Sequence, residues 1–181
     1  MTTDAQSPSL SRALFNMTWP MLFGVLSLMS FQLADSIFIG QLGVDPLAAV
    51  GFTVPMYQLI IGVQVGLGIA TTALVSKALG AKQAAYAKQL GGIVVIVGAT
   101  LIAILCLTLW FNRAFILESL GGESSLLPTL STYWMPWLVS TWFGAMLYFG
   151  YSLCRANGNT MLPGITMVFT SLLNIALDPL Y

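Results

Sequence analysis

Charged residues are scarce in this chain of 181 residues, which has six basic and six acidic side chains, 7% in all. Soluble proteins average about 25% charged residues, so these few side chains cannot cover a water-facing surface. Histidine, the side chain that most often acts as an acid, base or metal ligand near neutral pH, is absent. The net charge is zero, which gives no reason to expect a nucleic acid as partner. A lipid bilayer is the solvent that fits this composition.

Cysteine is also rare. Cys106 and Cys154 lie in apolar stretches on different predicted helices, and we interpret them as packing residues and not as a disulfide. The sequence contains no P-loop, no Ser/His/Asp set and no cysteine spacing typical of a metal site. We therefore predict that the protein is not an enzyme and that it has no cofactor and no structural metal.

Five long apolar stretches are present instead, each near the roughly 20 residues that a membrane helix needs. Short segments with glycine, asparagine or proline separate them and predict turns at 41–46, 80–82, 121–123 and 157–159. Their leucine-rich composition lacks the period-two alternation of barrel strands, which favours helices. We predict an all-α fold, a polytopic membrane helix bundle, with spans at about 19–39, 50–75, 90–111, 133–153 and from 161 onward.

The basic residues predict the orientation of these spans. If the N-terminus is cytoplasmic, the inside segments hold five basic residues and the outside segments hold only Arg113. We therefore predict a cytoplasmic N-terminal segment over residues 1–12, without a cleaved signal peptide, in a protein of the plasma (inner) membrane. The fifth stretch runs to Tyr181 with no flanking charge or loop, so residues 13–181 are expected to be part of a longer protein. A complete five-helix protein is the alternative.

Two acidic residues fall inside the predicted spans, Asp35 in the first and Asp178 in the fifth. Burying a charge in a membrane costs several kcal/mol, so such residues are functional candidates. Gln32 and Ser36 share a helix face with Asp35, and Asn174 lies one turn before Asp178. Both spans run outward and both aspartates come late, which predicts a shared polar cavity in the outer half of the membrane. Aspartates that only reach toward the outer interface are the alternative.

Two carboxylates in one low-dielectric cavity suggest ion coupling. Mutual repulsion and desolvation both favour the protonated form, so such a pair can take up a proton on one side and release it on the other. The same oxygens, together with the Asn174 amide, can instead bind Na⁺ as the only metal ion expected. The sequence leaves H⁺ and Na⁺ open, and either ion supplies about 2.3 kcal/mol per charge per 100 mV.

Pro20 lies inside the first span and removes a backbone hydrogen bond there, which predicts a kink that is either mobile or static. Other polar and aromatic side chains within the spans are candidates for lining a substrate cavity, or for packing between helices. They are Phe31, Gln32, Ser36, Gln58, Gln64 and Thr170.

Several motifs resemble those of multidrug and toxic compound extrusion (MATE) transporters, in particular the prokaryotic branch. They are ADSIFIGQLG at 34–43 with LAAVG at 47–51, GAK at 80–82, GNTMLP at 158–163 and NIALDP at 174–179. The resemblance extends over the chain from about residue 11. It implies a transporter of twelve helices in two six-helix lobes, of which residues 13–181 would supply part of the N-terminal lobe.

The resemblance also implies a function. Members of this family export cationic, amphipathic compounds in exchange for H⁺ or Na⁺, with an ion site that corresponds by position to Asp35, Asn174 and Asp178. Pro20 corresponds to the proline at which the first helix bends. Phe31 stands where some relatives have tyrosine, so one hydrogen bond to that site would be missing.

The sequence thus predicts a secondary active antiporter, with a small cationic substrate, membrane lipid and the rest of the same transporter as partners. Two other interpretations stay open. A lipid or lipid-linked sugar flippase of related fold would be expected to have a basic cavity, whereas these spans contain no lysine or arginine in their interiors. A non-transporting membrane interaction subunit would not need its two intramembrane aspartates.

Overall fold

A computed structural model describes residues 10–177. These residues form helices throughout, joined by short turns and with no strand in this part of the chain, which confirms the all-α fold class. Six α-helices and one 3₁₀ turn follow one another within residues 10–177. They are α1 (Leu10–Leu42), α2 (Val44–Gly80), α3 (Ala84–Phe111), α4 (Arg113–Ser119), the 3₁₀ turn (Ser124–Leu126), α5 (Leu127–Ala156) and α6 (Met161–Leu177).

The first four predicted apolar stretches lie within α1, α2, α3 and α5, and the described part of the fifth lies within α6. By length and composition, α1, α2 and α3 can each cross a membrane, as expected for a multi-pass membrane protein. The count of five spans is not confirmed. Tryptophan, tyrosine, serine and threonine lower the hydropathy of α5, and the described part of α6 has only 17 residues.

Large apolar side chains cover much of the surface of these helices. Leu33 on α1 is 66% exposed, Ile96 on α3 is 68% exposed and Phe111 at the end of α3 is 76% exposed. Exposed apolar area of this extent is unfavourable in water and is normal where lipid is the solvent. The inversion of the usual pattern, with apolar residues outside, supports the membrane assignment that composition predicted.

The connections between the long helices are short. Gly43 alone separates α1 from α2, with a φ of 125° that favours glycine, so the turn predicted over residues 41–46 is shorter than expected. The turns predicted at 80–82, 121–123 and 157–159 are confirmed. The short helix α4 was not predicted, because seven residues are too few to give a periodic pattern.

The chain divides into two compact units, and α1 contributes to both of them. One unit contains the described residues up to Asp35 and from Gly158, and the other consists of residues 36–157. In the second unit α2, α3 and α5 pack around a core whose fully buried side chains include Ile60, Ile102 and Trp134. Its helices also exchange polar contacts, since the Trp142 indole donates to the Ala99 carbonyl at 3.0 Å.

Gly98 on α3 is required by the packing of this core. A β carbon on Gly98 would lie 2.6 Å from Cζ of Phe149, whose side chain is fully buried on α5. We expect Gly98→Ala to lower the free energy of unfolding by about 2 kcal/mol, because a tightly packed ring cannot move aside. Unfolding in mixed detergent micelles measures this loss, and Gly98→Ala combined with Phe149→Leu should cost less than the sum of the single changes.

Gly92 on the same helix is the matched control for Gly98. A β carbon there meets no atom of the described chain within 4 Å. Gly92→Ala should therefore leave stability unchanged or raise it by up to about 1 kcal/mol, since alanine is the better helix former. Equal losses for the two alanine variants would contradict a packing role for Gly98.

Candidate functional site

The first structural unit brings α1 and α6 into close contact at Pro20. A β carbon on Gly164 would lie only 2.5 Å from the carbonyl oxygen of Pro20 and 2.8 Å from its carbonyl carbon. One turn further along α1, a β carbon on Gly24 would lie 3.0 Å from Sδ of Met167. Gly24 and Gly164 are both buried. The two helix backbones can approach this closely only because both positions are glycine.

These contacts show that α1 and α6 run in the same direction, since Pro20 faces Gly164 and Gly24 faces Met167. Asn174 lies seven residues after Met167, and Asp35 lies eleven residues after Gly24. Both polar residues therefore lie on the C-terminal side of the contact between the two helices, Asn174 at about 10 Å and Asp35 at about 16 Å along its own helix, from the rise of about 1.5 Å per residue.

Asp35 continues the face of α1 that packs inside this unit. The partly or fully buried positions of α1 include a series spaced three or four residues apart, at Pro20, Gly24, Ser27, Phe31 and Asp35. This spacing makes one helix face. Asp35 is half-buried and has an interaction partner in the protein. The predicted ion-coupling aspartate thus lies on the packed side of α1 and not on the side that faces lipid.

The other predicted residues of the first span and of α6 occupy less buried positions. Gln32 is exposed and lies beside the packed face, although like Asp35 it has an interaction partner. Asn174 is exposed in the C-terminal part of α6. Thr170 is half-buried, and its hydroxyl donates to the Thr166 carbonyl at 2.8 Å, so its proton is used within its own helix. Asp178 lies outside the described residues.

The remaining cavity-lining candidates lie in the second unit. Ser36 is exposed and has an interaction partner in the protein. On α2, Gln58 is exposed and Gln64 is half-buried. Two aromatic side chains of this unit, Tyr57 and Trp137, pack against each other with ring centroids 6.4 Å apart, which is a packing role.

Sequence reasoning missed Ser171 and Gly164. Ser171 is 1% exposed on the packed face of α6, and its hydroxyl has no hydrogen-bond partner in the described part of the chain. It lies three residues before Asn174 and seven after Gly164, so all three positions share one face. The sequence does show two small residues on the same helix face as a polar residue. This pattern is also common where helices simply pack together, so it does not by itself identify a site.

A groove of about 460 Å³ adjoins the close contact between α1 and α6. Trp19, Pro20 and Phe23 line it from α1, with Gly164 and Phe169 among the lining residues of α6. Pro20 has no N–H to donate to the carbonyl one turn earlier. The N-terminal part of α1 thus combines a proline, at which helices commonly kink, with open space beside it.

No group of three or more His, Cys, Asp or Glu side chains within residues 10–177 is placed to hold a metal ion. Cys106 and Cys154 are free thiols, and Cys106 is buried in the core. Because Asp178 lies outside the described residues, the structure does not test the Na⁺ site predicted at Asp35, Asn174 and Asp178.

Comparison with known proteins gives consistent relatives. The MatE family model matches residues 20–180. The FAD transporter of Shewanella oneidensis is 32% identical over 96% of this chain and 38% of its own length. The multidrug export protein MepA of Staphylococcus aureus is 26% identical over 93% of this chain and 38% of its own length.

Solved structures agree with these relatives. The MATE transporter VcmN of Vibrio cholerae in its bent form is 60% identical, with a TM-score of 0.92 over 96% of this chain and 40% of that chain. Its D35N mutant is 59% identical, with a TM-score of 0.94 over the same shares. The chain spans about two fifths of the length of the relatives it matches.

Proposed function

The chain belongs to the MatE family of transporters, and on that premise we propose that it forms part of the N-terminal lobe of a secondary active antiporter. The proposed protein exports cationic, amphipathic compounds in exchange for H⁺ or Na⁺. The observation that carries this proposal is the position of Asp35 on the packed face of α1, which contacts a helix running in the same direction that bears Asn174 on the same side of the contact. A carboxylate within a membrane span costs several kcal/mol of free energy, so such a residue is expected to have a function.

Ion coupling would follow from the charge of Asp35. Protonation, or binding of Na⁺ by Asp35 with Asn174 and Asp178, removes one negative charge from a low-dielectric site. The loss of that charge changes how well the lobe holds a cationic substrate. Uptake of the ion on one side and release on the other would then exchange ion for substrate, as alternating access requires.

Pro20 would convert this charge change into movement. The missing hydrogen bond at Pro20 and the groove beside Gly164 allow the inner part of α1 to bend. A relative from Vibrio cholerae is known in a bent form, which supports a bending first helix in this chain. A bend would narrow the space within the lobe and expel the substrate.

The substrate has two candidates. Multidrug exporters are among the relatives, and the five predicted spans have acidic but no basic residues in their interiors, which favours cations. The FAD transporter of Shewanella oneidensis, at 32% identity, favours a flavin dinucleotide as the second candidate. FAD carries a diphosphate, so its recognition would need cationic groups from the part of the protein beyond this chain.

The membrane arrangement is part of the proposal. All five long helices would cross the inner membrane, with residues 1–12 in the cytoplasm and residues 13–181 as a partial N-lobe. The distribution of basic residues supports this orientation, because only Arg113 lies at the proposed outer side. Residues 1–181 alone are not expected to transport, since the two halves of such transporters move against each other.

Efflux from a drug-sensitive bacterial host tests the function. The complete protein that contains this chain would be expressed, and the cells loaded with a fluorescent organic cation. A pH gradient and a Na⁺ gradient would then be imposed separately. We expect efflux of the cation to depend on one of these gradients, which identifies the coupling ion.

FAD export from everted vesicles is measured in parallel. Gradient-driven movement of FAD without movement of the cation would replace the drug substrate by the second candidate. If neither compound moves in any gradient, the antiporter hypothesis is contradicted. A lipid substrate or a non-transporting subunit would then be the favoured interpretation.

A further inference from the structure

A second groove lies at the opposite side of the second unit from Arg113, where α2 and α5 end and α3 begins. It has a volume of about 670 Å³ and is formed within residues 75–157. Val75 and Leu79 line it from α2, and Leu153 and Asn157 line it from α5. The α3 side contributes small and apolar residues together with one charge. They are Ala84, Ala87, Lys88, Gly91, Gly92, Val95 and Ile96.

The shape of this groove, which we call the Lys88 groove, follows from two glycines. Gly91 is buried under Leu153, whose Cδ2 would lie 3.1 Å from a β carbon at that position. Gly92 borders open space, with no atom of the described chain within 4 Å of an added β carbon. The lining extends from Ala84 to Ile96, which is about 18 Å along the helix. One leaflet of a bilayer has a hydrocarbon depth of about 15 Å, so the groove is as long as one leaflet is deep.

Positive charge is concentrated at the end of the Lys88 groove where α3 begins. Lys88 lines it, Lys82 lies in the preceding turn, and Lys77 lies in the last turn of α2. Arg155 lies in the last turn of α5 and stacks over the Tyr148 ring at 5.1 Å. The sequence has no Asp or Glu between Asp45 and Glu118, nor between Glu123 and Asp178. Four cations thus stand at one end of this unit without a nearby acidic residue in the sequence.

From this geometry we infer that the Lys88 groove binds an anionic phospholipid of the cytoplasmic leaflet. The acyl chain lies along Gly92, Val95 and Ile96, and the phosphate lies near the Lys88 ammonium. An apolar slot with a cationic mouth is the arrangement that such a lipid matches, because juxtamembrane basic residues attract acidic head groups. A zwitterionic lipid would also fill the slot, but its head group has no net charge and would gain no binding free energy from the Lys88 ammonium.

This inference does not depend on the transported substrate. It requires only that the chain lie in a membrane with its basic end at the cytoplasmic leaflet. A protein that failed to export any compound would still be expected to retain the lipid. An experiment that contradicts the proposed export function would therefore not contradict the inferred lipid site, and the reverse also holds.

Lipid binding to the complete purified protein tests the inference. The protein would be delipidated in detergent and titrated with phosphatidylglycerol or phosphatidylcholine of the same acyl chains, and bound lipid counted by native mass spectrometry. We expect phosphatidylglycerol to bind about fivefold or more tightly than phosphatidylcholine. Lys88→Gln should weaken phosphatidylglycerol binding about fivefold, since one basic residue near the surface is worth roughly that factor.

Gly92→Leu tests the slot independently of the charge. Its β carbon has room, and leucine is a better helix former than glycine, so the variant should fold. The leucine side chain would fill the slot and abolish binding of both lipids. Gly144→Leu on α5 is the matched control, because Gly144 also has no atom within 4 Å of an added β carbon in the described chain. Arg12→Gln is the charge control, since Arg12 does not line the groove.

Three outcomes would overturn the inference. Equal affinity for the two lipids would remove the role of the charge. Unchanged lipid binding in both Lys88→Gln and Gly92→Leu would place the lipid elsewhere. Absence of any bound lipid in the complete protein would mean that another segment of the protein occupies the groove.

Discussion

Asp35→Asn is expected to abolish ion-driven efflux by the complete protein. Asparagine keeps the shape of aspartate but can neither gain a proton nor balance Na⁺, so it holds the site in its uncharged form. One coupled charge at 100 mV supplies about 2.3 kcal/mol, which sustains a substrate gradient of roughly fifty-fold. The variant should sustain a gradient close to one, and its residual flux should not change with pH or Na⁺.

Vesicles with a defined internal volume measure this gradient directly, as the steady-state ratio of fluorescent cation on the two sides. Glu118→Gln is the matched control, because it removes one carboxylate from an exposed position on α4 and should leave the ratio unchanged. An Asp35→Asn variant with full, pH-dependent efflux would remove Asp35 from the mechanism. The unfolding midpoint of purified Asp35→Asn in mixed micelles, compared with that of the unchanged protein, shows whether the variant still folds.

Gly164→Ala is expected to cause the second large effect, because the atoms it would meet belong to a backbone. An added β carbon would lie 2.5 Å from the Pro20 carbonyl oxygen, and no rotamer change can relieve that contact. The helices α1 and α6 must separate, which should cost about 3 kcal/mol of unfolding free energy, the upper part of the range for overpacked interiors. Efflux should fall as well, since the Asp35 face of α1 would move away from α6.

Gly24→Ala provides a graded comparison for Gly164→Ala. Its β carbon would meet Sδ of Met167 at 3.0 Å, Cβ of Met167 at 3.1 Å and Cα of Gly164 at 3.3 Å. These contacts are longer than the 2.5 Å contact at Gly164, so a smaller separation of the helices relieves them and we expect a loss nearer 1 kcal/mol. Gly150→Ala is the neutral control, because a β carbon there meets no atom of the described chain within 4 Å. Unfolding of all three variants in mixed micelles should rank them in this order. A Gly164→Ala variant as stable as Gly150→Ala would show that the helices do not pack as described.

Much of the fold could be predicted from composition alone. Long apolar stretches predict helices in a membrane because the backbone has no other way to satisfy its hydrogen bonds there. The ends of these helices were harder to predict. The turn predicted between α1 and α2 included Asp45 and Pro46, which resemble loop residues, yet α2 begins at Val44 because proline is favoured in the first turn of a helix.

The site was predictable only in part. Asp35 was identifiable because a charge inside a membrane span is rare, and its place on the packed face of α1 agrees with the residue spacing. Gly164 and Ser171 were not identifiable, because their importance comes from the approach of a second helix far away in the sequence. A pattern within one helix gives its own faces but not the partner of each face, so the contact between Pro20 and Gly164 required the structure.

The single residue that joins α1 to α2 has a mechanical consequence. A loop of several residues between two helices has many free backbone torsions, so either helix can move slightly without moving the other. Gly43 offers one pair of backbone torsions, and helices with continuous hydrogen bonds extend away from it on both sides. A tilt or rotation of the C-terminal end of α1 is therefore transmitted directly to the start of α2, because the two helices can rotate relative to each other only at Gly43. The length of this link, and not only its chemistry, determines how stiffly motion passes along the chain.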